Sequence, residues 1–438
     1  MSNSHNLHKP KRILSSGFSL AVTIGGMIGL GILRTPGEVA EVVHHPSVFV
    51  SLWLIGGLFI LLSTLIAGEL IGLTPRSGGM YVLVRSAYGP FPGFVIGWVD
   101  WLSFVSDIAL KAVVVTEFAT LLIPAVGRWQ TPLAIIVSSL FAVLQLRSIA
   151  LGAKIQQIAA VAMVMIVLGF TLALLFAKTT VSDPGTPILK PVGGMGPWSM
   201  VVAAIIYTYD GWLFPSYFSG EVKGGSRAVI GASIRGVVIV IVLYVFLAAV
   251  LALKVPLIKL AGSELALATA LEISFSPMAA KFLLVGAIII TLAHQNLLYL
   301  STPRILQALA VDGLAVRFAG KFSKGGNPIF AVLLSYGLSV FLILIGGFKF
   351  LLHLSVMFYV FLYSFLILGV LIIRSRQPNT ERPYRAWGHP WSTYICLGIW
   401  LILALFQSIV EKDTALFAVI MVAVAWPIYR ILVRIRLK

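Results

Sequence analysis

The sequence predicts an all-α polytopic membrane protein, and three observations support that prediction. The 438 residues are 59% hydrophobic and only 11% charged, with a mean hydropathy of +1.01, a balance that soluble domains do not have. Apolar segments long enough to cross a bilayer recur along the whole chain. Two of these segments are interrupted by glycine and proline, residues that disfavour a regular helix.

Twelve apolar segments approach or exceed the roughly 20 residues that a membrane-spanning helix requires. They are 18–40, 49–73, 93–122, 133–145, 155–176, 197–221, 236–253, 282–309, 329–348, 351–373, 393–409 and 415–433. An even number places both termini on one side of the membrane, and most of the 32 Lys and Arg residues fall on that side. The positive-inside rule therefore predicts that both termini are cytoplasmic.

Charge, cysteine content and motifs narrow the function classes. A net charge of +17 would indicate nucleic-acid binding in a soluble protein, but here it follows from topology and suits anionic lipid headgroups. The lone cysteine, Cys396, excludes a disulfide framework and a thiolate metal cluster. No nucleophile, metal or P-loop motif occurs, so we expect no enzyme activity, metal or cofactor. The N-terminal apolar run lacks a cleavage site and is expected to remain as the first span.

The first apolar segment contains four glycines and a proline within residues 24–36. Glycine in a helix interior costs roughly 1 kcal/mol relative to alanine. A broken membrane helix also exposes backbone N–H and C=O groups that must line a cavity or bind something. Two interpretations follow: the glycines allow another helix to approach closely, or the helix breaks at a binding site.

The sixth segment carries Tyr-Thr-Tyr-Asp-Gly-Trp-Leu-Phe-Pro at residues 207–215, halfway across the predicted span. Breaks in the first and sixth spans are what two inverted repeats of five helices would produce. The N-terminus of a half-helix favours an anion, and its carbonyl end favours a cation. The sequence therefore predicts a site between two discontinuous helices.

Several motifs resemble those of the amino acid–polyamine–organocation (APC) superfamily of permeases, and especially bacterial relatives of the L-type amino acid transporters. The matching stretches are 29–32 with Pro36, 69–70 with 75–81, 209–212 with 220–223, 303–314, and 382–390. The resemblance implies the LeuT-like APC fold, with a first repeat at 18–176, a second at 197–373 and two peripheral helices at 393–433. Residues 1–17 and 434–438 would be cytoplasmic, and the mechanism would be alternating access.

The same resemblance implies which residues contact a small amino acid or related amine. The first break would hold its carboxylate, and the sixth span would face its ammonium group and side chain, with an asparagine of the eighth span nearby. These residues are Ile28, Gly29, Leu30 and Gly31, then Tyr207, Thr208, Tyr209 and Asp210, and finally Asn296.

Three departures from the family pattern bear on function. Leu30 stands where the family usually has a small residue, which should narrow the pocket. Met163 stands where several relatives have a lysine that substitutes for sodium. Loop 124–130 has no cysteine, so no disulfide-linked ancillary subunit is expected.

The third span holds Asp107 and Lys111 near its middle, four residues apart. Ionisable groups at that depth are costly and mark candidate functional sites. The pair either neutralises itself without touching a substrate, or Asp107 faces the pocket and binds substrate or carries a proton. Asp100 and Glu117 lie nearer the interfaces and are interpreted as solvated or hydrogen-bonded structural acids.

Two further candidates concern gating and coupling. His294 lies in a polar island of the eighth span and is either a proton-linked switch or a structural histidine. Glu221 is either an inner-gate acid paired with Arg76, Arg85 or Arg235, or a simple interfacial acid.

The leading functional hypothesis is a secondary transporter of small amino acids in a bacterial plasma membrane. Because Met163 supplies no positive charge, exchange is the expected mode. The alternatives are proton-coupled symport of an amino acid or amine, and a sensor that does not transport.

Overall fold

A computed structural model describes residues 12–178, 195–323, 326–345, 348–410 and 412–437. These residues form α-helices joined by turns and 3₁₀ segments, and none of them lies in a β-strand. The helices are α1 (Ser16–Met27), α2 (Leu30–Val42), α3 (Pro46–Leu73), α4 (Gly79–Tyr88), α5 (Pro90–Leu122), α6 (Gln130–Arg147), α7 (Ile149–Phe176), α8 (Met195–Thr208), α9 (Gly225–Lys254), α10 (Leu257–Leu260), α11 (Ala266–Ser274), α12 (Pro277–Val311), α13 (Ile329–Ile345), α14 (Phe348–Arg376), α15 (Trp391–Val410) and α16 (Lys412–Leu437).

The predicted class, an all-helical membrane protein, is confirmed. Within the described ranges, 8 helical segments are long and apolar enough to cross a membrane. They are Ser16–Val42, Pro46–Leu73, Pro124–Arg147, Ile149–Phe176, Gly225–Lys254, Pro277–Val311, Phe358–Arg376 and Trp391–Val410. The other four predicted spans fall on α5, α8, α13 and α16. Twelve spans and the inverted repeat stay predictions.

Several helix bounds differ from those of the apolar segments. The sixth segment, 197–221, is α-helical as far as Thr208 and continues as turns and a 3₁₀ segment at Phe214–Phe218, which agrees with the predicted break. In the ninth, 329–348, the helix is described over Ile329–Ile345, and residues 346–347 lie outside the described ranges. The short fourth span is longer than predicted, because α6 includes polar residues at both ends that hydropathy does not detect. Hydropathy also gave no sign of the short helices α10 and α11.

The centre of the molecule is built from α5 and α12, which pack along each other, while α9 packs against α1 and α3. Near the start of α5, Phe91 and Phe94 contact Tyr429 of α16. On the same face, Leu14 forms an isolated backbone bridge with Val222. The described chain therefore begins and ends on one face, called here the terminus face; α10 and α11 lie on the opposite face.

Candidate functional site

The first predicted break is present between α1 and α2. Helix α1 ends at Met27, Gly29 is extended (φ −145°), and α2 begins at Leu30. The Tyr244 hydroxyl donates a hydrogen bond of 2.7 Å to the Met27 carbonyl, so one exposed carbonyl of the broken helix is satisfied. The residue at the N-cap of α2 is Gly29, which has no side chain to cap the helix. The first N–H groups of α2 and the positive end of its dipole are therefore available to an anion.

The second break follows α8, where Gly211 has a positive φ of 102°. A Cβ atom at this position would collide with the backbone of Gly26, so the two interrupted helices touch through main chain. At Gly31, a Cβ would lie 2.9 Å from the Thr208 Cα. The interpretation that the glycines allow close approach is therefore confirmed, and the helix also breaks here. That the break forms a binding site stays a prediction.

A narrow cavity of about 20 Å³ lies between the two breaks and is called here the chamber. Such a volume holds about one water molecule, so the chamber is narrow. Its lining residues come from α1, α2, α5, α8 and the turn after it, α12 and α14. They are Gly26, Met27, Gly29, Leu30, Gly31, Asp107, Lys111, Tyr207, Thr208, Asp210, His294 and Tyr359.

Asp107 lies between two basic side chains at one wall of the chamber. Its carboxylate is 3.0 Å from the Lys111 Nζ and 3.6 Å from the His294 Nε2. Lys111 also hydrogen-bonds the Tyr207 side chain. All four side chains line the chamber or its edge, so the ion pair and the chamber coincide. The His294 Nδ1 is buried and has no hydrogen-bond partner among the described residues, and it lies against Gly29.

Asp210 provides a second carboxylate at the other wall. It accepts a hydrogen bond from the Tyr363 hydroxyl, and Trp212 stacks on the ring of that tyrosine. Within the described ranges no Lys or Arg side chain forms an ion pair with Asp210. The carboxylate and the C-terminal end of α8 thus present negative charge to the chamber, which the N-terminus of α2 also lines.

Three predicted contact residues do not line the chamber. Ile28 is fully buried in the core. The Tyr209 side chain points away, and its hydroxyl donates to the Trp53 carbonyl at 2.9 Å. Asn296 belongs to a buried amide network and hydrogen-bonds the side chains of Gln145 (3.1 Å) and Gln156 (2.9 Å).

On the terminus face, Glu221 pairs with Arg304, at 2.7 Å and 3.0 Å for its two oxygens. The predicted partners Arg76, Arg85 and Arg235 were therefore wrong. Arg304 is 1% exposed, and its guanidinium lies 4.5 Å from the Phe218 ring centroid. The sequence analysis included Arg304 only within the matching stretch 303–314. An arginine inside an apolar helix is a signal that could have identified it as a buried ion-pair partner.

Arg76 and Arg85 instead pair with Asp312 beyond the end of α12. The Tyr81 hydroxyl also donates to Asp312, at 2.8 Å. Burial, with the neighbouring Asp312 carboxylate, raises the pKa of Tyr81, so this hydroxyl stays protonated and keeps donating. Glu221 with Arg304, and Asp312 with Arg76 and Arg85, are called here the terminus-face ion pairs.

The remaining acids of α5 differ from each other. Asp100 is 1% exposed and accepts hydrogen bonds of 2.8 Å and 3.0 Å from the Tyr217 hydroxyl. It is hydrogen-bonded as predicted, but it is not solvated. Glu117 lines an open cavity of about 420 Å³ on the opposite face, called here the vestibule. Glu264, Glu272, Arg34 and Lys281 also line it.

Comparison with known proteins decides the family. The model of the amino acid permease family matches residues 18–429. The chain belongs to the amino acid permease family. It is therefore a membrane transport protein of a permease family, and the resemblance found in its motifs is confirmed.

Three relatives are similar over most of the chain. The serine/threonine exchanger SteT of Bacillus subtilis (strain 168) is 26% identical over 378 residues, 84% of each chain. The gamma-aminobutyric acid permease of the same organism is 24% identical, covering 92% of this chain and 90% of its own. The polyamine transporter PUT1 of Oryza sativa subsp. japonica is 26% identical, covering 82% of this chain and 64% of its own.

Proposed function

We propose that the protein transports small amino acids across the membrane by alternating access, and mainly by exchange. The observation that carries this proposal is that two poles of opposite charge line one chamber. They are the N-terminus of α2, which begins after Gly29, and Asp210 with the end of α8. A carboxylate and an ammonium group separated by one carbon would complement both poles.

The architecture we propose for this function has twelve spans in two inverted repeats of five, at 18–176 and 197–373, with peripheral spans at 393–433. Residues 1–17 and 434–438 would be cytoplasmic, on a bacterial plasma membrane; most of 1–17 lies outside the described residues. The basic residues on the terminus face support this orientation. The structure would then be closed toward the cytoplasm by the terminus-face ion pairs, with the vestibule leading outward.

The charged side chains at the chamber support exchange as the mode of transport. Met163 is fully buried and adds no positive charge, while Lys111 is already paired with Asp107. Within the described ranges, no unpaired cationic side chain at the chamber takes the place of a coupling ion. The bound substrate itself would therefore favour closure of the site. Proton symport is the second candidate, because the His294 Nε2 lies 3.6 Å from the Asp107 carboxylate and a proton could pass between these two groups.

Proteoliposome uptake separates these modes. Exchange predicts radiolabelled uptake that appears only with internal substrate and is insensitive to imposed pH and sodium gradients. Accumulation into empty vesicles that follows a pH gradient would favour symport. Binding without uptake under any of these conditions would indicate a sensor.

The contribution of Asp210 is tested by Asp210→Asn, which preserves shape but removes charge. We expect affinity for the transported amino acid to fall by about 1.5–3 kcal/mol, roughly ten- to a hundredfold. Asp100→Asn is the matched control, since Asp100 is also buried and bonded to a tyrosine but does not line the chamber. Equal losses in the two variants would contradict a binding role for Asp210.

A further inference from the structure

The chamber and the vestibule are separate cavities that share one lining residue, Leu30. Its side chain is 5% exposed although the vestibule beside it has a volume of about 420 Å³. The chamber on its other side has only about 20 Å³. Leu30 therefore lies where a wide cavity meets a narrow one.

The walls of both cavities continue past Leu30 along the same helices. On α5, Lys111 lines the chamber, whereas Val114 and Phe118 line the vestibule; these positions are three to four residues apart and share a helix face. On α12, His294 lines the chamber and Leu284 lines the vestibule, ten residues or about 15 Å apart along the axis. The two cavities thus form one route, interrupted at Leu30.

The position of Leu30 in the backbone places its side chain in the path of a molecule that enters from the vestibule. It is the first residue of α2, between the extended Gly29 and Gly31, which packs against Thr208. The N–H groups that would hold a carboxylate come from this same turn. A molecule that reaches them from the vestibule must pass the Leu30 side chain.

We propose that Leu30 is the barrier between the vestibule and the chamber, and that its bulk restricts the chamber to amino acids with small side chains. The size restriction rests on the proposed transport function; the barrier role does not. Replacing leucine by alanine removes three carbon atoms from the junction and joins the two cavities.

The barrier is tested by thiol accessibility, which requires no transport. Thr208→Cys places a reporter in the chamber, and the natural Cys396 is buried, so protein without the reporter gives the background. Purified protein in nanodiscs is reacted with a charged methanethiosulfonate reagent. We expect Leu30→Ala to raise the labelling rate about tenfold or more, equivalent to about 1.4 kcal/mol of barrier.

Leu284→Ala is the matched control, because Leu284 is also buried and lines only the vestibule. It should leave the labelling rate within about twofold of the reporter protein. Equal rates with and without Leu30→Ala would overturn the barrier. If Leu30→Ala does not fold, Leu30→Val provides a smaller truncation with the same expected direction.

The size restriction is tested by competition. Leu30→Ala should gain about tenfold or more in affinity for leucine and phenylalanine relative to alanine and serine, whereas Leu284→Ala should not. An unchanged ranking in Leu30→Ala, in a protein whose wild type binds amino acids, would overturn the size restriction. A wild type that binds no amino acid would overturn the proposed function instead, and the labelling result would still decide the barrier.

Discussion

The two faces of the chamber are closed by different means. Toward the terminus face, the chain is held by the buried pair of Glu221 with Arg304, a backbone bridge at Leu14 and Val222, and the 3₁₀ segment after α8. Toward the opposite face, one leucine lies between the chamber and a wide vestibule. In the proposed alternating access, the two sides would resist opening unequally, because charged contacts would separate on one side and one apolar side chain would move on the other.

The largest effect is expected at Arg304. Arg304→Ala leaves the buried Glu221 without its partner, which costs about 3–5 kcal/mol when a buried pair is broken. Thermal unfolding of the purified protein measures this loss. The exposed pair of Arg34 with Glu38, 3.3 Å apart, offers the contrast, because Glu38→Gln should cost about 0–1 kcal/mol. Similar losses at both sites would mean that the terminus-face ion pairs do not hold this face closed.

Next in size is the coupling between Asp107 and Lys111. A double-mutant cycle with Asp107→Asn and Lys111→Met should give a coupling energy of about 0.5–3 kcal/mol in stability. If Asp107 also contacts substrate, the double variant will differ from wild type in its relative affinities for polar and apolar amino acids. Unchanged relative affinities in a stable double variant would leave the pair purely structural.

A smaller effect is expected at the first break. A Cβ at Gly29 would lie 3.3 Å from the His294 Nδ1, a side-chain atom that can yield. Gly29→Ala should therefore fold and lower substrate affinity by about 1 kcal/mol, since it crowds the N–H groups proposed to bind the carboxylate. Gly17→Ala in α1, where the nearest atom is 3.6 Å away, is the control for binding assays and should leave affinity unchanged.

The smallest effect is expected at Arg76, whose side chain is 47% exposed. Because exposed ion pairs contribute little, Arg76→Ala should change stability by about 0–1 kcal/mol. Asp312 keeps Arg85 and Tyr81 as partners. A loss in thermal unfolding as large as that of Arg304→Ala would show that the two terminus-face ion pairs act as one unit.

Sequence reasoning located the two breaks because glycine, proline and a carboxylate inside an apolar run leave few structural options. It also placed Asp107, Lys111 and His294 among the candidates, and all three line the chamber. It could not tell that Tyr209 turns away while Tyr207 turns inward. In an irregular turn, the direction of a side chain depends on φ and ψ at each residue, which hydropathy does not encode.

The sequence also could not identify ion-pair partners that lie far apart along the chain. Glu221 and Arg304 are 83 residues apart, and three other basic residues, Arg76, Arg85 and Arg235, fitted the charge pattern equally well. The sequence showed the bulk of Leu30 but not its position between two cavities, which depends on the packing of α2 against α8, α11 and α12.

The proposed function requires a chamber that binds a carboxylate at one pole and an ammonium group at the other. Ligand-dependent thermal stabilisation of the purified protein tests this most directly, using one small amino acid, its methyl ester, its N-acetyl form and its decarboxylated amine. Since a ligand stabilises in proportion to its binding, the account predicts that only the unmodified amino acid raises the melting temperature. Equal stabilisation by the decarboxylated amine would contradict it.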